Sequence, residues 1–145
     1  MSLEDSIEIS TTSNQIFNFF LNLPDNYKIW HSDHVTCKWL KKTPELKGSE
    51  IYCEEYIHGA LHKIKFRISQ IEENKRIEYK HSFPFSLISP KGSFNIKEKE
   101  NTCIFTASMS FRFSWFLRKF AKNRMDLLKS HMEEEGINLK KILED

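Results

Sequence analysis

The sequence predicts an α+β domain in which a curved antiparallel sheet of about six to seven strands wraps a long C-terminal helix, with two short helices after the first strand. Three observations predict it. Apolar residues recur at period two through the middle of the chain, and from about Trp115 to Leu143 the period becomes helical. The 145 residues, 39% hydrophobic and 13% aromatic, amount to one domain, 1–145, with enough apolar material for a core.

The elements follow in order. "SIEIS" alternates as a short strand after an opening "MSL" that reads as a cloning remnant. Ser13 is placed to cap the next segment, "NQIFNFFLNL", whose Ile16, Phe17, Phe20 and Leu21 fall at helical spacing until Pro24. A second helical or turn segment, "DNYKIWHSDH", follows. Six alternating runs come next: Val35, Cys37 and Trp39; Ile51, Cys53 and Ile57; Ile64, Phe66 and Ile68; Ile77, Tyr79 and Phe83; Phe94 and Ile96; then Cys103 through Phe113. Four Gly and four Pro mark turns, not linkers, so these runs form a consecutive meander. One long terminal helix then carries Leu117, Phe120, Leu127, Leu128, Leu139 and Ile142 within a sector of about 120°. A sheet closing around such a helix is the helix-grip arrangement.

Composition narrows the function. The formal charge is +2, from 22 basic and 20 acidic residues spread along the chain, so no basic field exists to hold a nucleic acid. Cys37, Cys53 and Cys103 are odd in number and widely spaced, which argues against a disulfide framework or thiolate zinc site and for a cytoplasmic setting. No apolar run spans a bilayer. The aromatic and basic stretch "FRFSWFLRKFAKNR" is accounted for by a strand end, a turn and a helix start, so membrane contact is not expected.

The chemistry starts at "HMEEEG". With His131 as zero on a helical wheel, Glu135 lies at about 40°, Ile142 at about 20° and Leu128 at about 60°, so both polar residues point into the apolar stripe. A buried imidazole and carboxylate need a partner. They could satisfy each other as an i,i+4 pair, or hold a metal with further ligands.

The hairpin "YCEEYIHGALHKIKF" offers one such ligand. A two-residue turn at His58-Gly59 places Glu55 opposite His62 and Cys53 opposite Ile64, so Glu55 shares the apolar face, while Glu54 points outward unless the register slips. "WHSDHV" adds His31 and His34, whose HxxH spacing puts both imidazoles on one side of a helical turn. Two histidines and two carboxylates from three elements suit Zn²⁺ or another divalent ion. For proton transfer, His62, Tyr79 and His81 have inward parity, and each is equally explained as cavity lining. Arg124 lies near the His131 sector but can snorkel to solvent.

At these residues the pattern resembles the SRPBCC superfamily of polyketide cyclase, START and birch-pollen-allergen-like proteins, along nearly the whole chain. "WHSDHV", "GSEIYCEEYIHG", "FPFSLISPKGSF" and "HMEEEGINLKKIL" resemble, more narrowly, a branch sharing a metal site with the diacetylphloroglucinol hydrolase family. That resemblance implies a zinc bound by His34, Glu55, His131 and Glu135, with His31 and Glu54 the adjacent alternatives. That hydrolase is longer, with an N-terminal part that helps shape its pocket and has no counterpart here, so its substrate does not transfer.

The expectation is a metal-dependent hydrolase or lyase acting on a small apolar aromatic or polyketide-like carbonyl compound, without a nucleotide cofactor. A non-catalytic carrier of an apolar molecule or lipid, or a metal-free cyclase or dehydratase, would use the same cavity. Oligomeric state is not legible in the sequence.

Overall fold

The computed structural model describes residues 1–57 and 59–144. Seven strands form one antiparallel sheet: β1 (Ser2–Ile9), β2 (His34–Lys41), β3 (Glu50–Ile57), β4 (Ala60–Glu72), β5 (Arg76–His81), β6 (Lys91–Glu98) and β7 (Cys103–Ser110). Their spatial order is β1-β7-β6-β5-β4-β3-β2, a meander closed at one edge by the first strand. Helices α1 (Ser13–Leu21) and α2 (Leu23–Trp30) join β1 to β2, and α3 (Ser114–Phe120) and α4 (Lys122–Glu144) follow β7. This is the α+β helix-grip architecture.

The core sits between the concave face of the sheet and the helices. Ile9, Ile16, Ile51 and Leu139 are fully enclosed there. Phe20 stacks on Phe94 and Phe105, with centroids 4.3 and 5.2 Å away, and Trp30 meets Phe20 edge-on at 5.2 Å. Aromatic faces of this kind carry α1 and α2 on the sheet.

The predicted hairpin register holds: Ile57 pairs with Ala60, Glu55 with His62 and Cys53 with Ile64. Of the two predicted turn residues, His58 lies outside the described residues, and Gly59 has φ +74°, a conformation that glycine adopts freely. No helix among the described residues is long and apolar enough to cross a membrane.

Several local expectations need correction. Thr12, not Ser13, caps α1, its hydroxyl accepting from the Gln15 N–H at 3.2 Å, while Ser13 donates to Glu98 at 2.5 Å. The terminal helix is two helices, broken at Ala121, where φ is −131°. The break lets α3 turn onto the mouth of the sheet. Phe120 and Leu127 are consequently exposed, and Met132 and Gly136 take inward positions with His131 and Leu139.

Strand ends also differ. β5 stops at His81, so His81 continues the inward face and Phe83 lies in an exposed loop. β7 stops at Ser110, and Phe113 is left in a left-handed turn outside it. In β2 a bulge between His34 and Thr36 turns Val35 outward.

Candidate metal centre

That bulge aims the first site residue. His34 and Cys37 have opposite parity, so in a regular strand they would face opposite sides of the sheet. With Val35 as the extra residue, His34 pairs with Glu55, Cys37 pairs with Cys53, and His34 turns inward. The Cys37 and Cys53 thiols stand beside each other, 3.3 Å apart and unbridged.

His34 is held on both sides. Its ring stacks on Tyr27 with centroids 3.8 Å apart, and its Nδ1 donates to the Tyr27 carbonyl at 2.7 Å. A carbonyl only accepts, so the proton sits on Nδ1 and the lone pair of the neutral ring belongs to Nε2. Nε2 points at Glu135 Oε2, 2.9 Å away, and Glu55 Oε2, 3.2 Å away.

His131 arrives from α4. Its Nε2 lies 3.5 Å from Glu55 Oε2 and 3.6 Å from Glu135 Oε2. Both contacts are attractions between charges rather than hydrogen bonds, so this buried nitrogen has no hydrogen-bond partner. The helix is pinned in place by Trp30 Nε1 donating to the Glu135 carbonyl at 3.0 Å and by Asn138 Nδ2 donating to the Trp30 carbonyl at 3.0 Å. The Tyr27 hydroxyl donates to Glu55 Oε2 at 3.1 Å, so that one oxygen faces a hydroxyl and two imidazoles.

The geometry suits a metal. The four donor atoms lie within 4.8 Å of one another. Donors at about 2.0–2.1 Å from a tetrahedral zinc are separated by about 3.3–3.4 Å along each edge, and the four nitrogen–oxygen separations here run from 2.9 to 3.6 Å. The orphaned His131 nitrogen is the second sign of fit.

Without a metal the cluster is an ionic network. Burial pulls the His34 imidazole down, but its bonds to Glu135 and Glu55 outweigh this and raise its pKa to about 9. Burial pulls His131 down as well, but the attraction of the Glu135 and Glu55 carboxylates outweighs it and raises its pKa to about 10. Burial alone would raise Glu55, yet His131 and His34 hold it down at about 2.

His31 is differently disposed. It is the residue that ends α2 and has extended backbone, so the predicted helical turn shared with His34 does not exist. The chain instead bends back, with the His34 N–H donating to the His31 carbonyl at 3.1 Å. His31 Nδ1 accepts from the Asp33 backbone N–H at 2.9 Å, which leaves the proton on Nε2 to donate to Glu134 at 2.7 Å. Its lone pair is therefore already engaged, and its ring packs 4.3 Å from that of His131. Glu54 accepts from the Tyr52 hydroxyl at 3.0 Å, away from the cluster.

The cluster forms one wall of a cavity of about 620 Å³ between the sheet and α4. Tyr27, Glu55, His131 and Glu135 face the cavity, and His34 lies behind them. His62, Tyr79, His81 and Arg124 also line it, among many apolar side chains that include Phe66 and Phe94. Burial raises the Tyr79 pKa and lowers that of His81. His81 Nδ1 donates to the Ser89 carbonyl at 2.8 Å. Tyr27 and Trp30, which orient the cluster, were not singled out from the sequence, although both fall in the segment that supplied the histidines.

Sheet, grip helix and polar-walled cavity together define a helix-grip protein with an internal ligand-sized space. More particularly, several solved structures share this fold. The structure of TTHA0849 from Thermus thermophilus matches with a TM-score of 0.78 at 10% identity, over 97% of this chain and 95% of that one. A START superfamily protein from Mycobacterium smegmatis matches at 0.75 and 13% identity, over 99% and 97%. The di-domain ARO/CYC BexL from the BE-7585A biosynthetic pathway matches at 0.75 and 12% identity, this chain covering 50% of it. No protein-family profile matches the sequence, and no curated protein does. At these identities the likeness is one of fold.

Proposed function

We propose that this chain is a metal-dependent hydrolase or lyase acting on a small, apolar carbonyl compound of aromatic or polyketide-like type. One observation carries this reading: two imidazole nitrogens and two carboxylate oxygens from β2, β3 and α4 converge within 4.8 Å of one another on the wall of an apolar cavity. His34, Glu55, His131 and Glu135 would hold the ion. With a coordination position left open toward the cavity, a divalent ion held there would supply Lewis acidity, polarising a carbonyl and bringing the pKa of bound water toward about 7.

The chain supplies orientation and shelter. His34 lies behind the cluster, so a substrate approaches from the cavity side, past Glu55, His131 and Glu135. Apolar walls exclude bulk water and strengthen each electrostatic contact within. The Tyr79 hydroxyl stays protonated at neutral pH and can donate to a leaving carbon or an oxyanion. His62, across the strand pair from Glu55, is the alternative proton carrier.

The test is elemental analysis of untagged protein beside a His131→Ala/Glu135→Ala variant, followed by assay of acyl-aromatic substrates with and without chelator. We expect near one divalent ion per chain, lost in the variant, and activity that falls with chelation. Protein that takes up no metal even after reconstitution would sink the proposal. A second reading, non-catalytic storage of an apolar molecule, is favoured by the largely apolar cavity, and it predicts ligand binding that survives the double variant. Chelator-insensitive turnover would point to a metal-free cyclase, the activity class named for BexL.

A further inference from the structure

We propose that the open end of the cavity docks on an anionic lipid surface, so that an apolar ligand enters from the bilayer without crossing water. Two segments flank that end. The loop after β5 exposes Phe83, 76% accessible, with Leu87 and Ile88. The turn and helix after β7 expose Trp115, 70% accessible, with Phe113, Phe116 and Phe120. The segments are joined, since the Arg112 N–H donates to the Ile88 carbonyl at 2.8 Å.

Both also belong to the cavity. Ile88 and Phe85 line it from the loop, and Phe116 and Leu117 line it from α3. The exposed aromatic surface is therefore continuous with the internal one. A soluble monomer rarely shows so many large apolar side chains in one place without a partner for them.

Charge selects the partner. From Tyr79 to Lys97 and from Asn101 to Met125 the sequence contains no acidic residue. The same stretches place Lys80 and Lys91 beside the loop, and Arg112, Arg118, Lys119 and Lys122 beside the exposed aromatics, all of them solvent-exposed. Lys80 and Lys91 are paired neighbours on β5 and β6, at the end of the sheet from which the loop springs. Tryptophan and phenylalanine ringed by lysine and arginine is the composition that settles at the headgroup level of an anionic bilayer. The formal +2 of the whole chain conceals this local excess.

The experiment is co-sedimentation of the intact protein with phosphatidylcholine vesicles, with and without phosphatidylglycerol, at low and high salt. Binding should require the anionic lipid and weaken as salt rises. Lys119→Glu/Lys122→Glu and Trp115→Ser/Phe120→Ser should each weaken it by at least about tenfold. These side chains are exposed, so thermal unfolding of both variants should match the parent. Protein that stays in the supernatant with anionic vesicles overturns the proposal and leaves an acidic protein as the occupant to seek. Binding that is equal on neutral vesicles, or indifferent to both variants, also overturns it.

Discussion

His34 and His31 are three residues apart and both buried, yet their hydrogen bonds assign them opposite tasks. A carbonyl at Nδ1 frees the Nε2 lone pair of His34, whereas a backbone N–H at Nδ1 commits Nε2 of His31 to donating. On the proposed reading His31 is a positioning residue, through the ring it packs against His131 and the proton it gives Glu134. His31→Ala should lower metal affinity by about 10- to 100-fold while leaving one ion per chain at saturation, as competition with a chromogenic chelator would measure. Loss of stoichiometric binding would instead make His31 a ligand. The inward direction of Glu55, His131 and Glu135 was legible in the sequence because strand parity and helical angle are periodic. The choice between the two histidines was not, because it depends on a bulge and on two backbone partners that carry no residue signature.

Elements obey the same division between periodic and aperiodic information. The hairpin of β3 and β4 was readable to the register, since a one-residue slip would have sent Glu55 and its apolar neighbours to solvent. The break at Ala121 was not readable, because no Gly or Pro marks it. β5 and β6 show a contact that no pattern announces: a Cβ on Gly92 would land on the hydroxyl and Cζ of Tyr79. The glycine is there so that the ring can lie flat against the neighbouring strand. Gly92→Ala should destabilise the fold by about 1–3 kcal/mol, read from denaturant midpoints. Most of that cost should vanish on a Tyr79→Ala background, where the overlap is gone. A cost unchanged on that background would locate the strain elsewhere.

Across the whole molecule the cluster joins β2 and β3, at one end of the sheet's strand order, to α4, so its charge state contributes to how that helix is held. In the metal-free protein His34 and His131 have pKa values of about 9 and 10, above the ordinary 6.5. Their contribution is therefore complete below pH 6.5 and lost as pH rises through 9 to 10. Glu55 is depressed from 4.5 to about 2, so its contribution is present above 4.5 and lost as pH falls toward 2. Metal-free protein should accordingly have its broadest stability between about pH 4.5 and 6.5. A metal needs both imidazoles neutral and reverses the upper half of that profile. At pH 7 uptake should expel about two protons, measurable as the dependence of binding heat on buffer ionisation enthalpy. Metal at a hundredfold excess over its dissociation constant should add about 2.7 kcal/mol, raising Tm by roughly 5–11 °C for a chain of this size. That gain should grow from pH 6.5 to 9 and be absent from His131→Ala/Glu135→Ala. A Tm shift that is the same at both pH values, with no protons released, would mean that the metal binds elsewhere and that the buried ion pairs alone close the grip.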